Sequence, residues 1–406
     1  MKILILSKKF PYPLKDGESQ AIHGLSKSLA ELGCQVSLLA MNTSKHFFSG
    51  SKLPEEMGHY HEVRTVQVNN ELSPFDALKN LVSGTSYHIS RFDKEDVHQR
   101  LAAWLQESTF DVIQLETLYL SPYIPTIRRH SEAAVVMRSH NVEHEIWERF
   151  STNVKWAPKR WYLRHLTRQL KEYEQQQLNQ YDLLLPITKR DRDRFLAMGF
   201  RGSHYVLPIG LDAVCGEAHY DSYREPLSLH FIGSLDWMPN LEGLQWFLND
   251  VWPDIHRRFP ELKFHIAGRN MPAYFHQLAM KNIVVHGEVE SSCDFVSEHS
   301  ISIVPLLSGG GMRAKILEAM SLGRVVISTS LGLEGINAKH RRDLFVADTP
   351  GQFVAALEDC HRRGRKLERI GRNATARFYR HYDRRTLASN LLDRYHKLIS
   401  KELPVK

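Results

Sequence analysis

The chain lacks any uninterrupted apolar run of the ~20 residues needed to cross a bilayer, so a helical membrane anchor is not expected from its 406 residues. Cysteine is scarce. Cys34, Cys215, Cys293 and Cys360 are widely separated and form neither a CxxC pair nor a metal-ligand spacing, which argues against a metal cluster and for reduced thiols in a cytosolic setting. The opening MKILILSKKFPYP has no signal-peptide core, because Lys8 and Lys9 interrupt its apolar residues and no small-residue cleavage site follows. It reads instead as a first β-strand. Low-complexity segments are absent as well, which leaves little room for disordered tracts.

What is present is an ordinary globular composition of 42% hydrophobic and 24% charged residues. A single hydrophobic core stops growing near ~250–300 residues, so this length favours two domains. The net charge of +7 is modest for the length. It suits a protein that handles phosphorylated substrates or rests on an anionic membrane as well as it suits nucleic-acid binding.

Apolar, β-branched runs alternate with helix-period stretches, the pattern of parallel βαβ units. KILILS, QVSLLA, TVQV, DVIQLE, AVVMRS, DLLLPI and HYVLPI are the candidate strands of the first half. LHFIGS, KFHIAG, IVVHGE, ISIVPL, RVVIST and LFVAD are those of the second. Between them, at 207–228, the periodicity lapses and Pro, Gly, Asp and Ser accumulate. The predicted organisation is α/β, with two Rossmann-like doubly wound domains, residues 1–210 and 211–382, facing across a cleft. A terminal helix in 383–406 is expected to return to the first domain. Ligands of such sheets bind beyond the carboxyl ends of the strands, and the motifs are sought there.

After ISIVPLL comes SGGGMRAKILEAMSLG, read as a glycine loop opening a helix near Met312 or Arg313. Gly309, Gly310 and Gly311 let the backbone approach a ligand, and a helix N-terminus offers unpaired amides to a phosphate. Arg313 and Lys315 lie in the first turn, where the helix dipole disfavours cations unless an anion is bound nearby. Glu318 lies three residues after Lys315 and suits sugar or ribose hydroxyls, while Ile316, Leu317 and Met320 face the core.

This segment resembles the donor-binding motif of glycosyltransferase family 4, whose members have the GT-B fold and transfer sugars with retention. In that family two glutamates are usually separated by seven residues. Glu318-Ala319-Met320 matches the second, and the first falls on Gly310, so the chain resembles a branch in which a Gly-Gly-Gly loop takes over that contact. The resemblance implies that Arg313, Lys315 and Glu318 act on the donor together with His140. It also implies donor contacts at Gly309, Gly310, Gly311 and Met312.

Other segments carry the same resemblance. GSLDWMPNLEGLQWFLNDVWPDI resembles the first turn of the donor domain, with Gly233 and Ser234 at the strand end. Many members have an Arg and a Lys on this loop, whereas here there are Ser234 and Asn240, which places more of the pyrophosphate charge on Arg313 and Lys315. Trp237, Leu241, Leu244, Leu248 and Val251 recur with helical spacing and are assigned to the core. IVVHGEVE resembles the nucleobase-binding turn, with backbone contacts near Gly287, Glu288 and Val289, and IAGRNM puts Arg269 at another strand end. On the acceptor side the resemblance selects Gly17, Glu18 and Asn141, with Glu143 and His144 as further contacts. Glu116 and Arg138 also fall near strand ends, with weaker claims.

No cofactor is expected, since the nucleotide-sugar is a substrate. Asp191-Arg192-Asp193 has the Asp-x-Asp spacing of metal-dependent transferases, but it falls in a helical stretch outside the donor half, so no metal is expected. Leaving-group charge then rests on Arg313, Lys315 and the helix N-terminus. The partners implied are a nucleoside-diphosphate sugar and a glycan or lipid-linked glycan acceptor, and no nucleic acid. The basic, aromatic stretch 153–178 suits either an interfacial helix touching the inner face of a membrane or an ordinary helix with a solvated face. The competing readings are a nucleotide-sugar epimerase or a phosphorylase of the same architecture, and a noncatalytic protein that binds sugar nucleotides or nucleic acid.

Overall fold

The computed structural model describes the chain except residues 15–16, 44–47, 49–52, 70–85, 153, 155, 213–215, 310–311 and 403–406. It forms two compact units, residues 1–210 with 387–406, and residues 211–386.

The first unit is built on a parallel sheet of β1 (Lys2–Ser7), β2 (Gln35–Thr43), β3 (Glu62–Val68), β4 (Val112–Leu115), β5 (Ala134–Ser139), β6 (Leu183–Pro186) and β7 (Ser203–His204). Their order is β3-β2-β1-β4-β5-β6-β7. Helices cover both faces, so consecutive residues of the inner strands are buried: Ile3 and Ile5 enter one apolar cluster, Leu4 and Leu6 the other. That is why these strands read as continuous apolar runs rather than alternating ones. The C-terminal helix Arg384–Ile399 places Leu387, Ala388, Leu391 and Tyr395 in the same cluster as Ile3, Ile5 and Val36.

The second unit repeats the plan with β8 (Ser228–Ile232), β9 (Lys263–Ala267), β10 (Ile283–Gly287), β11 (Ile301–Val304), β12 (Val325–Ser328) and β13 (Phe345–Val346), in the order β10-β9-β8-β11-β12-β13. In each sheet the strand order reverses beside the first strand, between β1 and β4 and between β8 and β11. A doubly wound sheet opens a ligand crevice at that switch point.

The last strand of the first sheet follows HYVLPI: Ser203 and His204 pair with β6, and the Tyr205 and Leu207 amides go on to donate to the Leu184 and Pro186 carbonyls at 3.0 and 2.9 Å. The basic aromatic segment 153–178 forms one helix, Ala157–Gln177, preceded by a separate helix, Glu143–Thr152. Cys34 and Cys360 are buried free thiols, but Cys293 is disulfide-bonded. The expectation of four reduced thiols is corrected at this position, because distance along the chain does not measure separation in space.

Candidate functional site

In the second unit the loops after β8 and β11 meet at the switch point. Gly233 follows β8, and a Cβ there would come within 2.6 Å of Lys315 Nζ and 2.8 Å of Asn240 Nδ2; only glycine leaves room for both. Asn240 is buried in the Met238–Trp246 helix. Its Nδ2 donates to the Ser234 carbonyl at 2.9 Å, and its Oδ1 accepts from Lys315 Nζ at 2.7 Å. The ammonium also lies 4.6 Å from the Phe231 ring. Burial pulls the Lys315 ammonium down to about 7, against a smaller opposing contribution from Glu318. Among the described residues no carboxylate lies within ion-pair distance of it, and an amide oxygen and an aromatic face do not replace the charge compensation lost with water.

Lys315 belongs to the Ala314–Ser321 helix, and Arg313 is its cap residue with no side-chain capping bond. The helix thus starts one or two residues later than the sequence suggests. Arg313 is buried, with its guanidinium 5.5 Å from the Trp237 ring. Gly309 adopts a left-handed φ of 94°, a conformation that supports the turn between β11 and this helix. Met312 is half-buried and Glu318 is exposed on the helix surface. Ile316, Leu317 and Met320 face the core as expected. The predicted contacts at Gly310 and Gly311 lie outside the described residues.

Two assignments on the neighbouring loop change. Trp237 is not core but 40% exposed, because the helix begins at Met238 and leaves Trp237 at its cap. The Ser234 hydroxyl is turned aside, donating to Asp236 Oδ1 at 2.5 Å. Asp236 also accepts from Asn270 Nδ2 at 3.0 Å, and the Ser234 hydrogen bond foremost holds its carboxyl below the usual range. Arg269 is exposed beside this turn. Gly287, with φ of 72°, ends β10; Glu288 is exposed and Val289 half-buried.

The first unit gathers its candidates at the ends of β4 and β5. Glu116 is fully buried and takes His140 Nε2 at 2.8 Å, Arg138 NH1 at 3.5 Å and the Gln114 amide. Burial alone would raise its carboxyl, but Arg138 and His140 hold it below the usual range. An ionised Glu116 can only accept, so His140 Nε2 is the donor between them and Nδ1 is left for another partner. Arg138 also donates to the Ala21 carbonyl at 3.1 Å, tying the pair to the Gly17–Glu31 helix. Beneath it, the Tyr395 hydroxyl of the C-terminal helix donates to Gln114 Oε1. Glu116, given little weight in the sequence, is the hub of this site.

Beside this hub lies a second buried network. Tyr119 donates to Glu143 Oε2 at 2.9 Å, and His144 Nδ1 bonds Glu174 Oε2 at 2.6 Å. Burial pushes Glu143 up to about 7. Lys8 lies 4.8 Å from the Tyr119 ring and 3.3 Å from Glu18, so Glu18 neutralises the end of β1. Gly17 is the first residue of its helix, where a Cβ would meet nothing within 4 Å; no close approach requires glycine there. Asn141 is exposed, and its carbonyl accepts from the Ser139 hydroxyl at 2.6 Å. Asp191 and Asp193 sit in the Lys189–Ala197 helix, Asp193 bonded by Arg192 at 2.7 Å. Among the described residues no three His, Cys, Asp or Glu side chains are grouped to hold a metal ion.

Two parallel doubly wound units of this strand order make the fold that of the GT-B glycosyltransferases. The chain matches sucrose-phosphate synthase from Thermosynechococcus elongatus with a TM-score of 0.63 at 13% identity, covering 99% of this chain and 100% of that one. It matches HepE of Anabaena in complex with UDP with a TM-score of 0.63 at 13% identity, covering 98% and 100%. Residues 226–363, within the second unit, match the family Glycosyl transferases group 1. An uncharacterized 44.6 kDa protein in the cps region of Klebsiella pneumoniae is 23% identical over 404 residues, 96% of this chain and 98% of that protein.

Proposed function

We propose that the protein transfers a sugar from a nucleoside-diphosphate sugar to a glycan or glycolipid acceptor, with retention of configuration and without a bound metal. The observation that carries this reading is Lys315: a cation desolvated against neutral groups at the start of a helix, at the switch point of the sheet. Such a cation is poised for the pyrophosphate, with the helix amides and Arg313 beside it. β10 lies two strands from β8, or ~10 Å at the usual strand spacing. A nucleotide extended along the carboxyl edge would bring its base to Gly287–Val289 and its pyrophosphate to Gly233 and Lys315. HepE, which shares the fold, was solved with UDP and with UDP-glucose, which supports a donor of this class. The Klebsiella relative, from a cps region, supports a role in polysaccharide biosynthesis on the cytoplasmic side of a membrane.

On the first unit, His140 offers Nδ1 to a hydroxyl of the transferred sugar while Glu116 holds the ring. Departing phosphate assists the acceptor hydroxyl on the same face, so no protein nucleophile is required. Calorimetry with UDP, GDP and ADP and their sugars tests the donor, and absence of binding by all of them overturns the reading. Binding without transfer to any glycan or lipid-linked acceptor would favour a noncatalytic sugar-nucleotide-binding protein. His140→Ala is expected to lower transfer far more than donor affinity; full activity removes it from the site. Retention is read from the anomeric configuration of the product by NMR, and metal independence from undiminished turnover in EDTA.

The acceptor side is proposed to rest on an anionic membrane. Trp156 and Trp161 are 67% and 63% exposed, beside Lys159, Arg160 and Arg164 of the same helix, an apolar face with a cationic rim. Flotation with anionic liposomes at low salt should capture the protein, and no capture sinks this part of the reading.

A further inference from the structure

At the edge of the second sheet away from the donor loops lies a half-open pocket of about 840 Å³. Its position follows from topology. Arg341 and Arg342 come just before β13, and the Pro350–Arg363 helix leaves the carboxyl end of β13 and returns, bringing Arg363 and the 365–372 segment to the amino edge. Donor contacts at the carboxyl edge of the same sheet are therefore on the opposite side.

The wall carries seven cations and one carboxylate, Glu368. Asp359 engages Arg341 at 3.1 Å and Arg363 at 3.0 Å, Asp343 lies 3.5 Å from Arg342, and Glu368 engages Arg372 at 2.6 Å. Even with these two aspartates counted, cations lead by four. Arg365, Lys366 and Arg369 are exposed on the rim, and none has a carboxylate within ion-pair distance among the described residues. Arg341 is held in the left-handed region at φ of 62°, with its amide donating to the Leu344 carbonyl at 2.7 Å. A non-glycine residue in that region costs free energy and persists only where its surroundings impose it. Here the turn directs the guanidinium toward Asp359 and the pocket wall.

We propose that this pocket binds a ligand bearing two or more phosphate groups, at a site separate from the donor seat. Several guanidinium forks around a concavity of small-molecule size match the paired oxygens of phosphates, and the uncompensated charge calls for more than one of them. The phosphates could be free in solution or displayed by a lipid headgroup, and the experiment separates the two.

The test uses the full chain as wild type, as Lys315→Ala, and as a triple variant with Arg365→Glu, Lys366→Glu and Arg369→Glu, whose exposed positions leave the fold intact by thermal melting. Calorimetry with inorganic tripolyphosphate covers a soluble ligand; flotation with vesicles containing phosphatidylinositol bisphosphate against phosphatidylcholine covers a headgroup. Binding of either probe that falls by about tenfold or more in the triple variant and persists in Lys315→Ala supports the site and identifies the source. Equal binding by wild type and triple variant overturns it, as does failure of wild type to bind either probe. Neither result depends on glycosyl transfer, so the pocket and the proposed activity stand or fall separately.

Discussion

The two switch points treat buried charge in opposite ways. At the ends of β4 and β5 buried carboxylates have polar partners: Glu116 meets Arg138 and His140, and Glu174 meets His144. At the end of β11, Lys315 is packed on an amide and a phenyl ring, and burial lowers its affinity for the proton. The first arrangement is self-contained, suited to holding an imidazole in one orientation. The second is electrostatically incomplete and gains most when an anion arrives. One sheet supplies geometry, the other supplies field.

The contrast can be broken from either side. The largest effect is expected at the paired site: Glu116→Ala leaves Arg138 buried without its carboxylate and should cost about 3–5 kcal/mol in chemical denaturation. Next, Lys315→Ala should weaken nucleoside-diphosphate binding by about 2–3 kcal/mol, read by calorimetry, with little loss of stability; unaltered affinity refutes its role.

The same lysine sets a pH dependence. Its folded value of about 7 lies below the ~10.4 of an unfolded lysine, so between the two the unfolded chain binds more protons. Ligand-free stability should therefore rise with pH across that interval, while nucleoside-diphosphate affinity, which needs the ammonium, should fall above about 7. Lys315→Ala should flatten both slopes in melting and titration series. The smallest effect is expected for Tyr395→Phe, which removes one buried hydrogen bond to Gln114 and should cost about 1 kcal/mol while lowering transfer less than His140→Ala does.

The strands were legible because a sheet covered on both faces buries nearly every residue of its inner strands, and apolar runs stand out from their polar surroundings. HYVLPI was legible as well: Tyr205 and Leu207 continue alongside β6, donating to the Leu184 and Pro186 carbonyls, and Leu207 packs with Leu387 and Leu391 under the C-terminal helix. The glycine loop and the cations after it were legible from local chemistry, since cations are out of place at a helix start unless an anion is near. Trp237 was not, because a one-residue difference in where a helix begins turns a side chain from the core to solvent. Nor was the weight of Glu116. Gln114 and Glu116 share a strand face by their spacing, but their partners Tyr395 and His140 are distant in sequence, and nothing local announces that a strand-end carboxylate will be enclosed.

The C-terminal helix also bears on how the protein is made. Residues 211–386 are contiguous and can fold as soon as they have emerged from the ribosome. The first unit cannot be completed, because Leu387, Leu391 and Tyr395 must still cover the face formed by Ile3, Ile5 and Val36. At ~5–20 residues per second, that face waits on the order of ten seconds or more after its strands are made. The earliest part of the chain to be synthesised is thus the last to be sealed, and it is there that a nascent-chain chaperone would have most to protect.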